Sequence, residues 1–253
     1  MRLAALPALA DNYIWLLSDA THAIVVDPGD AAPVRAALER ERLDLATILL
    51  THHHPDHIGG AAELAAATGA TIYAPADARI ERADVRVGDG DRVRIAAPAL
   101  EFEVLEIPGH TSSHVAYHGE GLLFCGDTLF SVGCGRIFEG TPEQMLASLE
   151  RLSALPGETQ VCCGHEYTLA NCAFATTLDA DNAALAARAA EARAQRDARR
   201  PTLPTSLADE RACNPFLRID SAALIAALGE PNDRVARFAE LRRRKDLFKA
   251  PTA

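Results

Sequence analysis

The stretch Thr51-His52-His53-His54-Pro55-Asp56-His57 constrains this chain more than any other. Four metal- or proton-binding donors within six residues are hard to explain as packing, and an internal position with an embedded Asp excludes an engineered tag. The apolar run Ile48-Leu49-Leu50 leads in, and Ile58-Gly59-Gly60 with an Ala-rich stretch leads out. That order reads as a strand ending in a rigid loop that feeds a helix, where a polar site is expected. Residues two apart on extended chain face the same way, so His52 and His54 can share one ion. Asp56 and His57 lie past the bend and point toward a second ion, while His53 points away from the first pair. Neither set is complete, because zinc prefers at least four ligands. The rest must come from other strand ends.

The spacing predicts strands at Ile14 to Ser18, Ile24 to Asp27, Leu45 to Leu50 and Thr71 to Ala74, with helices at Ala31 to Arg42 and Gly60 to Thr68. Gly69 suits a helix C-cap. From Val85 to Gly121 the pattern is mostly β, with Gly119-Glu120-Gly121 as a turn before Leu122 to Cys125. Thr141 and Pro142 mark a helix start, and Gln160 to Cys163 is a last short strand. Three further strand regions end on Gly109-His110, Gly126-Asp127 and Gly164-His165. Their recurrence suggests that all four ends meet, with His110 and His165 as further ligands and Asp127, with two oxygens, as a bridge. Such a pair of metals holds a shared water or hydroxide. Zinc, iron and manganese all suit imidazole and carboxylate ligands.

After His165 the composition shifts. Asp181 to Arg200, Ser221 to Leu228 and Asn232 to Arg244 have helical spacing, and no strand is expected there. The division is therefore 1–166 as an α/β domain and 167–253 as a small helical domain. Its Arg234 to Lys249 run reads as a solvated helix face or as an anion clamp. The net charge of −10 and pI near 5.4 disfavour nucleic acid and anionic lipid as partners. No apolar stretch reaches membrane-spanning length, and the short apolar start, Leu3 to Ala10, runs straight into a strand, so neither secretion nor membrane anchoring is expected. Six cysteines without paired CxxC spacing read as buried apolar residues in a reducing compartment, with Cys162-Cys163 a weak redox candidate.

Thr51-His52-x-His54-x-Asp56-His57, followed by His110, Asp127 and His165, resembles the ligand series of the metallo-β-lactamase superfamily. Further stretches resemble its glyoxalase II (hydroxyacylglutathione hydrolase) family: Asp11-Asn12-Tyr13, Gly126 to Phe130, Gly133 to Arg136, Phe138-Glu139-Gly140, Cys163 to Tyr167, Asn214 to Arg218, and Arg242-x-x-Lys245-Asp246. The resemblance implies a four-layer αββα sandwich with a C-terminal all-helical domain. It implies two divalent metals, zinc first with iron or manganese as alternatives, on His52, His54, Asp56, His57, His110, Asp127 and His165. It implies hydrolysis of S-D-lactoylglutathione, and of related 2-hydroxyacyl glutathione thioesters, by a metal-bridged hydroxide that Asp56 orients. Tyr167, Arg242 and Lys245 match glutathione contacts. Arg136 stands where some members have Lys, and Phe138 where some have Tyr, losing a hydroxyl. A cytoplasmic monomer is implied as well. The alternatives are another hydrolase of this fold or a glutathione persulfide dioxygenase. The dioxygenase uses one iron and oxygen, and usually lacks the long helical C-terminal domain.

Overall fold

The structure is a computed structural model that describes residues 1–229 and 233–249. The chain forms two compact units, each built from separate segments. The first holds Met1–Glu106, Ser113–Gly126 and Cys162–His165; the second holds Ile107–Ser112, Asp127–Val161 and the described part of Glu166–Ala253.

In the first unit, strands β1 (Arg2–Ala8), β2 (Asn12–Ser18), β3 (His22–Val26), β4 (Asp44–Leu49), β5 (Thr71–Pro75) and β6 (Val85–Val87) form one sheet in sequence order. β1, β2 and β3 pair antiparallel, and β3 to β6 pair parallel. Parallel neighbours need a crossover. Helix α1 (Ala31–Glu41) supplies it between β3 and β4; α2 (Pro55–Ile58) and α3 (Ala61–Thr68) supply it between β4 and β5. Asp30 caps α1 by accepting from the Ala32 N–H, and Gly69 ends α3 at φ 77°, in the left-handed region that glycine takes without strain. Alternation along the strands sends Ile14, Leu16, Val25 and Ile72 into one core with Val34, Leu38 and Leu64 of the helices. Burying each such side chain contributes about 1.5–3 kcal/mol. All seven residues of β2 are buried, as a strand covered on both faces requires.

A second sheet in this unit runs β7 (Arg92–Ile95), β8 (Leu100–Glu106), β9 (Val115–Gly119) and β10 (Leu122–Gly126), all antiparallel. The expected turn before β10 is a two-residue hairpin. Glu120 and Gly121 both have positive φ, 55° and 73°, which suits the right-handed twist of the flanking strands. Segment Cys162–His165 joins β10 through Gly164 N–H to the Gly126 carbonyl at 2.9 Å, and receives the Trp15 indole N–H on the Cys163 carbonyl at 2.9 Å.

The second unit holds the short hairpin β11 (Leu129–Phe130) and β12 (Gly133–Cys134), then α4 (Pro142–Ser153) and the start of β13 (Gln160–Cys163). Helices α5 (Thr168–Thr176), α6 (Ala183–Asp197), α7 (Leu207–Cys213), α8 (Ala222–Leu228) and α9 (Arg234–Leu247) follow. α4 begins with a full capping box at Thr141 and Gln144 and with Pro142 in the first turn, as the sequence predicts. The helices meet around Phe174, Phe216 and Phe238, whose ring centroids lie 6.5 and 5.9 Å apart in sequence order.

One expectation changes, and three elements lie where the sequence assigns none. The last third does contain a strand, β14 (Thr205–Ser206), paired with Gln160 and Val161 of β13; two residues are too short for any alternation to show. The apolar start, to which the sequence assigns no element, forms strand β1, registered on β2 from Arg2 opposite Ser18 to Ala8 opposite Asn12. Helices α5 and α7 lie where no periodicity was legible. Asn232, where the sequence reading starts the last helix, lies outside the described residues; the described helix has Asp233 as its N-cap.

Candidate metal centre

β4 runs straight into the histidine-rich stretch, and α2 starts at Pro55. The backbone of this short helix lies directly on the turn after β3. A Cβ on Gly29 would sit 1.8 Å from the Asp56 carbonyl oxygen, and one on Gly59 would sit 2.6 Å from the Gly29 carbonyl oxygen. Only glycine lets two backbones approach so closely. Asp56 is further held by the Asn12 amide, which donates to Asp56 Oδ2 at 3.0 Å and to its carbonyl at 3.3 Å.

Five of the seven candidate ligands fall in the first unit: His52, His54, Asp56, His57 and His165. His52 Nε2 faces His54 Nδ1 at 3.0 Å. His57 Nε2 faces His165 Nε2 at 3.4 Å, and Asp56 Oδ2 lies 3.5 and 3.4 Å from those two nitrogens. His53 turns away from these donors toward Asp77 Oδ2, 3.5 Å from its Nδ1.

The far nitrogens fix the tautomers. His57 Nδ1 lies 3.0 Å from Asp27 Oδ2, and His165 Nδ1 lies 2.8 Å from Asp11 Oδ1. A carboxylate can only accept, so each Nδ1 carries a proton, and the neutral ring then presents the Nε2 lone pair. The Thr51 hydroxyl donates to Asp27 Oδ2 at 2.7 Å and therefore accepts from His52 Nδ1 at 3.0 Å, which leaves His52 Nε2 as a lone-pair donor too. Asp27 thus sets two imidazoles, and Thr51 N–H occupies its other oxygen at 2.8 Å. Asp27 also groups with His52 and His57 as a possible ion-holding set, but its oxygens are already engaged in orienting them. The ring of His114, for which the sequence offered no role, stacks on His52 at 4.6 Å.

His57, His165 and Asp56 therefore aim three electron-pair donors at one point, with the chosen atoms all within 4.8 Å of one another. Lone pairs so placed repel unless a cation lies among them. Neutral imidazole, carboxylate and carboxylate-backed histidine form the donor set of a borderline divalent metal. The residues fit such an ion.

The second unit brings His110 and Asp127 together. His110 Nε2 lies 3.5 Å from Asp127 Oδ2, and His110 Nδ1 donates to the Arg136 carbonyl at 2.8 Å, so this Nε2 is also a lone-pair donor. The exposed Phe138 ring lies 5.2 Å from the His110 ring and 6.0 Å from the Arg136 guanidinium. Tyr167 packs edge-on against Phe130 at 5.2 Å.

The cationic residues are less available than the sequence suggests. Arg242 is buried; it donates to the Cys134 carbonyl at 2.7 Å and to Asp246 Oδ1 at 2.9 Å. Arg136 shares the same Asp246 oxygen at 3.2 Å. Lys245 Nζ lies 3.4 Å from the Ala170 carbonyl and 5.3 and 5.7 Å from the Phe174 and Phe248 ring centroids. Burial, and then the Arg242 charge, lowers its pKa to about 8. All six cysteines are buried, and none is in a disulfide.

Residues 9–165 match the family model of the metallo-beta-lactamase superfamily, and residues 166–248 match that of the hydroxyacylglutathione hydrolase C-terminus. A hydroxyacylglutathione hydrolase from Xanthomonas campestris pv. campestris (strain B100) is 57% identical over 258 residues, covering 99% of this chain and 100% of its own. The chain belongs to the hydroxyacylglutathione hydrolase family. Its fold is that of the metallo-β-lactamases with the helical C-terminal part of this family. The solved structure of ETHE1 from Myxococcus xanthus is 27% identical with a TM-score of 0.64, covering 91% of this chain and 100% of that one. That of TTHA1623 in a di-iron-bound form is 30% identical with a TM-score of 0.54, covering 65% and 92%. Of the supporting groups in this hydroxyacylglutathione hydrolase family member, Asp27 escaped sequence reading because Asp27-Pro28-Gly29-Asp30 looks like a plain turn. Asp11 and Asn12 carried only the resemblance.

Proposed function

We propose that this chain hydrolyses S-D-lactoylglutathione and related 2-hydroxyacyl glutathione thioesters to glutathione and the 2-hydroxy acid. In this reading His52, His54, Asp56, His57, His110, Asp127 and His165 hold two divalent metals, zinc first, with iron or manganese as alternatives. The convergence of His57, His165 and Asp56 on one point carries it, alongside a relative of matching length. Bound metal would supply an acidified water near neutral pH and positive charge beside the thioester oxygen. Asp56, tethered by Asn12, orients the attacking water. The glutathione thiolate is a good leaving group, so no strong general acid is required. Residues 1–166 would carry the chemistry, and 167–253 would hold the glutathione moiety through Tyr167, Arg242 and Lys245, with Arg136 and Phe138 beside it. A cytoplasmic monomer completes the proposal; no described helix is long and apolar enough to cross a membrane.

Metal analysis coupled to a lactoylglutathione hydrolysis assay tests it. The unaltered chain should bind two metals and release glutathione, and Asp127→Ala should lose metal and hydrolysis together. Two metals retained with full activity in Asp127→Ala would remove the bridging role. Oxygen uptake with glutathione persulfide in place of thioester hydrolysis would favour the dioxygenase.

A further inference from the structure

A short hairpin of the second unit adjoins Asp127 and, through the Arg136 carbonyl, His110. β11 and β12 pair as Leu129 with Cys134 and Phe130 with Gly133, leaving Ser131-Val132 as the turn. Val132 is fully buried and has φ 58°. A β-branched side chain in the left-handed region is a genuine outlier, and glycine is the usual occupant. Four buried side chains from beyond residue 166 grip this turn. Val132 N–H donates to Glu210 Oε2 at 2.7 Å. The Asn214 amide donates to the Phe130 and Gly133 carbonyls, both at 3.0 Å, and to the same Glu210 oxygen at 3.0 Å. The Asn171 amide donates to the Ser131 carbonyl at 3.0 Å, and Arg188 Nε donates to the Ser131 hydroxyl at 3.2 Å.

The base of the same hairpin carries the ligands. Gly135 N–H donates to the Thr128 carbonyl at 3.1 Å, and a Cβ on Gly135 would lie 1.8 Å from the Asp127 carbonyl oxygen. The next carbonyl, that of Arg136, fixes the His110 tautomer. One foot of the hairpin is thus Asp127, and the other sets the ring of His110.

A buried carboxylate and guanidinium are costly supports for a turn that one glycine would relax. Burial pushes the Glu210 carboxyl up, against the pull of Val132 N–H, Asn214, Ser131 and Arg188. What the cage adds over a glycine is a single fixed hairpin geometry. We propose that Glu210, Asn214, Asn171 and Arg188 are positioning residues that set the Asp127 carboxylate and the His110 imidazole through the hairpin. The inference rests on the reading of those two residues as metal ligands.

The test uses the full chain, metal-loaded, with metal affinity measured by competition against a chromophoric chelator and kinetics on lactoylglutathione. Glu210→Ala should weaken metal binding by about 10- to 100-fold and lower kcat, as loss of an outer support does. KM should stay within about twofold, because the uniform contacts to glutathione remain. Glu210→Gln keeps an acceptor for Val132 N–H and Asn214 and should recover most of the loss. If Glu210→Ala does not fold, Asn171→Ala, which removes only the Ser131 carbonyl bond, should show a smaller shift in the same direction. Unchanged metal affinity per folded chain in these variants, with activity falling only as folded protein falls, overturns the proposal. An unaltered chain that binds no metal overturns the functional reading instead, and the proposal with it.

Discussion

At Lys245 stability and function should move in opposite directions. Burial, and then Arg242, lowers its pKa from 10.5 to about 8. A shift of that size corresponds to about 3 kcal/mol against folding while the group is charged. The side chain is only partly buried, and two aromatic faces attract its charge, so screening and cation–π contact bring the net cost to ~1–2 kcal/mol. Below the folded pKa of about 8, both states hold the proton and the whole cost is present. Between there and 10.5 the unfolded chain holds more protons, so stability climbs with pH. Above 10.5 both states are neutral and the cost is gone. Lys245→Met keeps most of the stem and removes the charge. It should be ~1–2 kcal/mol more stable than the parent at about pH 7, and the gain should vanish as the lysine titrates. Under the proposed glutathione-binding role of Lys245, KM of the same variant for lactoylglutathione should rise about tenfold or more while kcat changes little. Urea denaturation at matched metal loading, on either side of the titration, reads the first effect; initial rates read the second. A Met variant less stable at neutral pH, or an advantage that persists above the titration, refutes the electrostatic reasoning. An unchanged KM removes Lys245 from the glutathione site.

Two further outcomes follow from the site's geometry. Gly29→Ala puts a Cβ 1.8 Å from the Asp56 carbonyl, so the α2 backbone must move; a displacement near 1 Å should lower kcat about 100-fold, and a loss under about tenfold would show that Asp56 placement is not limiting. In Asp27→Asn, one oxygen can still accept from Thr51 N–H, but the amide then faces His57 Nδ1 and favours the wrong tautomer. Chelator competition should show metal held about 10- to 100-fold more weakly with the circular dichroism spectrum unaltered, and parental affinity would discount the tautomer control.

The candidate ligands were legible because metal chemistry needs particular atoms, and glycine before His110, Asp127 and His165 marked the strand ends. Their supports were not. Asp27 and Asp11 reach histidines 30 and 154 positions away along the chain, and no local pattern encodes such a partner. Arg136 and Arg242 read as free charges because sequence cannot show that both would share Asp246. The long amphipathic helices and parallel strands could be read from their periodicity. Segments as short as β11, β12 and β14 hold no more than one period of the strand pattern, and β14 is defined by its pairing with Gln160 and Val161, far along the chain.

The bond from Val132 N–H to Glu210 also bears on how such chains can be recombined. It joins a residue within the stretch matched by the superfamily model to one within the stretch matched by the C-terminal model. A C-terminal part borrowed from elsewhere would have to bring its own buried acceptor to the Ser131-Val132 turn, or leave a buried donor unsatisfied at about 1–3 kcal/mol. The last third is in that sense no detachable attachment: it and the hairpin form one block, and exchanging one without the other carries that cost.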